Sequence, residues 1–303
     1  MKRRHTRRDL VRLFKERGLR ANRLLGQHFL VDHNLLAFIC KAGAVSADDV
    51  VLEIGAGTGL LTEHLARTGA AVVAVEIDRA LFDIASEYVG DAENVVLLCG
   101  DVHGARRRIH PDVAAALNEA VRPGRRLKVI SNLPYCISSD LLVSLLELPW
   151  PVETPAVSPV ERMVLTVQSE FADRLLARPG TRDYGPLSVL LRAQAEVARL
   201  RKLAPKVFWP VPQVESAIVQ VTPDAERRAV IADARLFKSV VTALFTQRRK
   251  TAAKALGSLP RRKLSKQQVA AALEAAGIAL DARADALPVP QIIALANALA
   301  GAR

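Results

Sequence analysis

The sequence predicts an α/β fold built on an open, largely parallel sheet, with a small all-helical domain after it. Two observations carry the first part. Short β-branched runs alternate with helical patterns over the first two-thirds of the chain. Several of those runs end in an acidic or amide residue, and the ends of parallel strands are where open α/β sheets place ligands. A third observation carries the second part: after Thr222 the pattern turns entirely helical. The expected boundaries are a basic extension over residues 1–23, the α/β domain over 24–222 and the helical domain over 223–303.

Of the 303 residues, 50% are hydrophobic, enough for a sizeable core and a second, smaller one. No apolar run approaches ~18 residues, so no membrane span is expected. The net charge of +12 points to a polyanionic partner, nucleic acid before membrane. Cys40, Cys99 and Cys136 are odd in number, far apart and set among apolar residues. That pattern argues for a reducing compartment and against disulfides or a zinc site.

The first segment, Met1 to Arg23, holds ten Lys and Arg residues against Asp9 and Glu16. It has no apolar stretch of the kind a secretory signal needs. Leu10, Val11, Phe14 and Leu19 form one apolar stripe if the segment is a helix. Three readings stay open: an RNA-contacting arm, a solvated tail, and an organelle transit peptide. Gly26-Gln27-His28-Phe29-Leu30 follows, ahead of a helix over roughly Asp32 to Ala42.

Asp49 to Ile54 reads as a buried strand. Gly55-Ala56-Gly57-Thr58-Gly59 then opens an amphipathic helix, so a ligand can approach the backbone beside a helix N-terminus. Ala71 to Val75 is a second strand, ending in Glu76, 21 residues after Gly55. A carboxylate there is placed to accept both hydroxyls of a nucleoside ribose. A third strand, Val95 to Leu98, ends at Asp101, which either caps a turn or accepts from an adenine amine. The glycine spacing and the lack of a nicotinamide pocket reduce a dehydrogenase to a minor alternative.

Leu127 to Ile130 is a fourth strand, and the loop after it, Asn132-Leu133-Pro134-Tyr135, is the candidate reaction centre. Pro134 fixes its own φ and pushes Leu133 towards extended geometry. That can present the Leu133 carbonyl beside the Asn132 side chain. Two acceptors and an aromatic face suit an exocyclic aromatic amine, whose lone pair must be freed from the ring before it can attack. The alternative is a plain strand-to-helix turn capped by Asn. Arg162 to Val167 reads as a fifth strand, and Ala195 to Leu203 and Glu215 to Val221 supply two more. Between the last two, Phe208 and Trp209 on a Pro-rich loop offer either a stacking face for a flipped base or core packing. This is the strand order of a Rossmann-like methyltransferase sheet with S-adenosylmethionine across the strand ends. In the helical part, Ala234 to Leu256 is expected as one long helix carrying Gln247-Arg248-Arg249-Lys250. Its cations, with Arg261, Arg262, Lys263 and Lys266, suit phosphate binding without sequence reading.

Together these stretches resemble the KsgA family, the small-subunit ribosomal RNA adenine dimethyltransferases. The resemblance rests on Gly26 to Leu30, Glu53 to Gly59, Glu76, Asp101, Asn132 to Tyr135, Tyr184-Gly185, Phe208 to Ser216 and Phe245 to Lys250, in that order along the chain. It implies a Rossmann-like class I methyltransferase domain with S-adenosylmethionine as methyl donor, and no metal. The methyl acceptors it implies are the N6 amines of two adjacent adenines near the 3′ end of 16S rRNA, in a pre-ribosomal particle. Cofactor contacts are then expected at His28, Leu30, Gly55, Gly57, Glu76, Asp101 and Asn132, chemistry at Asn132, Leu133, Pro134 and Tyr135, and RNA contacts at Phe208, Arg248, Arg249 and Lys250. A cytoplasmic monomer is expected. Two features depart from the family pattern: His28 stands where Asn is common, and the basic segment before Asn22 is long. The competing readings are a large-subunit rRNA adenine N6-methyltransferase of the macrolide-resistance type, a DNA adenine methyltransferase, and a non-catalytic ribosome-assembly factor.

Overall fold

The computed structural model describes residues 6–22, 25–104, 109–121, 124–135, 139–146, 160–248, 250–257, 259 and 264–301. The chain forms two compact units, Met1–Ala172 with Ala198–Thr222, and Asp173–Val197 with Pro223–Arg303. This division differs from the predicted linear one. The segment 173–197, expected inside the α/β domain, belongs to the helical unit, because its apolar helix packs among the C-terminal helices.

In the first unit the elements run α1 (Arg7–Glu16), β1 (Phe29–Leu30), α2 (His33–Ala42), β2 (Asp49–Ile54), α3 (Leu60–Ala66), β3 (Ala71–Glu76), α4 (Arg79–Val89), β4 (Val95–Cys99), α5 (Pro111–Ala120), β5 (Arg126–Asn132), α6 (Ser139–Leu146) and β6 (Val160–Gln168). After α7 (Ser169–Leu176) and α8 (Pro186–Arg192) come β7 (Ala195–Leu203), β8 (Phe208–Trp209) and β9 (Ser216–Pro223). Seven strands form one sheet in the order β4-β3-β2-β5-β6-β9-β7. β2 pairs in parallel with β3 and β5, β3 with β4, and β5 with β6, while β9 is antiparallel to β6. The chain therefore leaves β2 in one direction and returns to its other side at β5, which makes a topological switch point at the carboxyl ends of β2 and β5.

Every residue of β2 is buried, as a strand with both faces covered requires. Lys128 in β5 is 1% exposed. Its Nζ donates to Asp49 Oδ2 at 3.0 Å and to the Ala44 carbonyl at 2.7 Å. A buried cation is tolerable only with such partners, and these tie β5 to β2 at the end opposite the ligand side. A separate two-residue ribbon pairs Phe29 with Trp209 and Leu30 with Phe208, antiparallel.

The described part of the basic extension is a docked helix. Thr6 and Asp9 form a capping box at the start of α1, and Leu19 N–H returns to the Phe14 carbonyl past Gly18 at its end. Leu10 and Phe14 are buried in the same core as Phe29 and Leu30. The Phe14 ring lies 5.5 Å from Phe29 and 4.9 Å from Trp209, centroid to centroid.

The second unit gathers α8 with α9 (Ala225–Ala229), α10 (Ala234–Thr246), α11 (Ala252–Leu256), α12 (Lys266–Ala275) and α13 (Val289–Gly301). Tyr184 is fully buried, donates to the Leu287 carbonyl and meets Phe245 edge-on. The single helix expected over 234–256 is two helices. Gln247 leaves helical geometry at φ −120°, ψ 45°, and Thr251 caps the next helix through the Lys254 N–H. Thr251 also bridges Arg283, and Ala252 N–H bonds the Ala282 carbonyl. These distant partners fix the break. Among the described residues no helix is long and apolar enough to cross a membrane.

Candidate active site

The carboxyl ends of β2, β3, β4 and β5 surround a cavity of about 270 Å³, with the Gly26–Phe29 segment as another wall. His28, Gly55, Gly57, Glu76, Asp101, Asn132 and Pro134, all predicted site residues, line it. Leu30 does not. It is buried beside a smaller void lined also by Glu53, Gly57 and Asn132.

The glycine turn has room only for glycine at two decisive places. Gly55 has φ +80°, and a Cβ there would lie 2.9 Å from Pro134 Cγ; Gly57 has φ +60° and would press on the Phe29 ring at 3.2 Å. Both positions combine left-handed backbone with close packing. Pro134 thus serves as a wall against the glycine turn.

Glu76 is 5% exposed. Gly57 N–H donates to one carboxylate oxygen at 2.7 Å and Asp78 N–H to the other at 2.9 Å. Burial raises its carboxyl above the ordinary range, while those N–H groups pull it down. Each oxygen keeps a further lone pair for a ligand hydroxyl. Asp101 has a half-exposed side chain, accepts from His103 N–H at 2.8 Å and still lines the cavity. The turn role and the ligand role are therefore compatible.

Asn132 holds the centre of the site. Its Nδ2 donates to the His28 carbonyl at 3.0 Å. That fixes the amide's orientation and leaves Oδ1 buried without a partner. A buried unpaired acceptor is costly and identifies where an N–H donor belongs. Leu133 N–H bonds the Thr166 carbonyl, and the Leu133 side chain is buried. Tyr135 is half-buried, with its hydroxyl hydrogen-bonded to Ser216 and its ring 5.0 Å from that of His28. Burial raises the Tyr135 phenol, and Ser216 partly offsets the rise. His28 Nδ1 donates to the Pro210 carbonyl at 2.7 Å. The imidazole thus ties the Gly26–Phe29 wall to the Pro-rich loop.

Two predicted RNA contacts are placed otherwise. Phe208 has no exposed surface, because the β1–β8 ribbon turns its ring into the core; it offers no face to a base. Arg248 donates to the Arg182 and Thr181 carbonyls at 2.6 and 2.9 Å and faces Asp285 at 3.6 Å, so its guanidinium braces a turn. Lys250 is exposed, and Arg249 lies outside the described residues.

Glu53 was legible only as part of the glycine motif. It is 1% exposed, and its Oε2 lacks a hydrogen-bond partner among the described residues. Burial pushes its carboxyl up to about 8; Thr62 pulls the other way and Glu76 adds to the rise. An acid inside a wholly buried apolar strand was the available signal. Gln27, which donates to Asp78 Oδ2 at 2.9 Å, and Ser216, which holds the Tyr135 hydroxyl, were legible only as members of the Gly26 to Leu30 and Phe208 to Ser216 motifs.

A Rossmann-like methyltransferase is the class that this sheet order and this ring of strand-end residues define. The model of the family described as ribosomal RNA adenine dimethylase matches residues 18–301. The chain belongs to that family. It is 36% identical over 283 residues to a ribosomal RNA small subunit methyltransferase A of Geobacillus thermodenitrificans, covering 93% of this chain and 92% of the relative. It is 37% identical over 247 residues to a probable ribosomal RNA small subunit methyltransferase A of Methanopyrus kandleri, covering 82% and 80%. The 23S rRNA methyltransferase ErmE has a similar structure, with TM-score 0.60, 27% identity and coverage of 90% of this chain and 99% of that one. A dimethyladenosine transferase from Plasmodium falciparum shares the fold with TM-score 0.69 at 23% identity, over 88% and 96%.

Proposed function

We propose that this protein transfers methyl groups from S-adenosylmethionine to the N6 amines of two adjacent adenines near the 3′ end of small-subunit rRNA, giving dimethyladenosines. The observation that carries the reading is the Asn132 side chain, oriented by the His28 carbonyl with its oxygen buried and unpaired. The family and its small-subunit relatives support the substrate. The substrate form is RNA in a pre-ribosomal particle, and the enzyme works as a cytoplasmic monomer.

The residues present fit the cofactor. Glu76 retains acceptor capacity for two ribose hydroxyls, Asp101 reaches the same cavity, and Gly55 and Gly57 let the backbone come close. When bound, S-adenosylmethionine supplies an electrophilic sulfonium methyl. The chain's own residues then position the amine. Asn132 Oδ1 accepts one N6–H, and the Leu133 carbonyl accepts the other. With both hydrogens held, the nitrogen lone pair is directed out of conjugation and towards the methyl. Tyr135 bears on the adenine ring, its hydroxyl held by Ser216 so that the ring keeps one orientation. Transfer would break the methyl's bond to sulfur and leave a neutral thioether; the product ammonium gives its proton to water, and a second turnover, with one N6–H left to hold, adds the second methyl.

The test is incubation with labelled S-adenosylmethionine and undermethylated small subunits, with large subunits and DNA in parallel, followed by nucleoside analysis. Dimethyladenosine from small-subunit RNA alone is expected. Label in large-subunit RNA alone would overturn the substrate, and binding without label would overturn the activity.

A further inference from the structure

The charge of this chain is concentrated in one place. Residues 1–23 carry ten Lys and Arg against two acids, so they supply eight of the twelve net positive charges. The described core of that segment, α1, precedes residue 18, where the family match begins.

α1 is held in register with the reaction centre. Its Phe14 packs on Phe29 and Trp209, which pair with each other in the β1–β8 ribbon. Phe29 lines the cofactor cavity, and the residue before it, His28, orients Asn132 through its carbonyl. Arg17 is ion-paired with Glu87 of α4, which fixes the helix at its carboxyl end. With Leu10 and Phe14 facing inward, positions 8, 12 and 15 fall on the opposite side of a 3.6-residue helix. Arg8, Arg12 and Lys15 are all exposed, a cationic stripe about 10 Å long at 1.5 Å per residue. Arg12 shares Asp9 and Glu16 along the helix surface, while Arg8 and Lys15 meet no acidic side chain among the described residues.

We propose that the outward face of α1 is a docking surface for the phosphate backbone of the substrate RNA, extending the active-site wall beyond the target adenine. This rests on the rRNA reading above and adds a contact to it. Cations without base-edge geometry bind phosphates irrespective of sequence, and a rigid helix keeps their distance to Asn132 constant.

The test is the triple variant Arg8→Gln, Arg12→Gln, Lys15→Gln in the full chain, compared with wild type for affinity to small-subunit RNA across salt concentrations, and for kcat and KM. Three lost phosphate contacts should make the log–log salt slope shallower by about two and weaken affinity at least about tenfold near 0.15 M salt. The kcat at saturating RNA and the thermal midpoint should stay at wild-type values. An affinity and a salt slope equal to wild type would overturn the assignment of α1 while leaving the functional reading intact. Failure of the wild-type chain to bind small-subunit RNA at all would overturn both. A variant whose thermal midpoint has dropped is replaced by Arg8→Gln, Lys15→Gln, for which a salt slope shallower by more than one is the supporting result and an unchanged slope the opposing one.

Discussion

Replacing Glu53 by Gln should make the cofactor-free protein more stable, and only above mild acidity. The buried carboxyl is held at about 8 by desolvation, against 4.5 in an unperturbed chain. Between those values the folded protein keeps a proton that the unfolded chain has released. The folded state therefore binds more protons, and stability falls as pH rises through the window. At about 1.4 kcal/mol per pH unit, the whole window corresponds to roughly 5 kcal/mol, an upper bound because water reaching the charged group would relax it. Gln has nearly the same shape, cannot ionise and carries no such slope. Urea unfolding of both proteins from pH 5 to pH 9 reads the difference. The two should be within about 1 kcal/mol of each other near pH 5, separate progressively in favour of Glu53→Gln, and run parallel above about 8. Curves that stay parallel throughout would refute the buried, proton-holding Glu53.

Asn132→Ala removes the oriented acceptor and should lower kcat on the order of 10²-fold or more, as loss of one preorganised polar group commonly does; a near-normal rate with bound RNA would sink the assigned role. Phe14→Ala empties a buried site between Phe29 and Trp209 and should cost about 3–5 kcal/mol, measured by denaturation; a loss below about 1 kcal/mol would show that α1 is not docked in solution. Arg248→Ala removes the guanidinium from the Arg182 carbonyl and one of two donors from the Thr181 carbonyl, and should destabilise the helical unit by about 1–3 kcal/mol. Lys250→Gln should instead leave stability within about 0.5 kcal/mol and weaken RNA binding.

The strand ends were legible because the information is local. A β-branched run stopped by Glu76, Asp101 or Asn132 is readable in a few residues, and the topology then brings those ends together. Phe208 was not legible in that way. An aromatic on a Pro-rich loop looks like a stacking platform, and only its pairing with Leu30, far away in sequence, turns the ring inward. Arg248 sits among good helix formers and other cations, so its run reads as one basic helix. Its actual partners, Thr181 and Arg182, lie more than sixty positions earlier. The helix break at Gln247 has the same origin, since the Thr251–Arg283 bridge is a tertiary contact. Glu53 was visible as an acid among apolar neighbours, but its missing partner is a property of packing.

The way the chain is shared between the two units governs how it can be dissected. It passes from one unit to the other at residue 173, back at 198 and across again at 223. Cutting after Thr222 therefore does not release an intact catalytic half. It strands α8, whose Leu187, Val189, Leu190 and Leu191 are buried, and leaves Tyr184 without the Leu287 carbonyl that its hydroxyl bonds. Such a fragment would carry a sticky apolar surface and be prone to aggregate. A usable catalytic fragment needs the 173–197 excursion replaced by a short linker from Ala172 to Ala198. The same arithmetic means that a nonsense mutation between residues 198 and 222 leaves both units of the nascent chain incomplete, since part of the second is made before the first is finished.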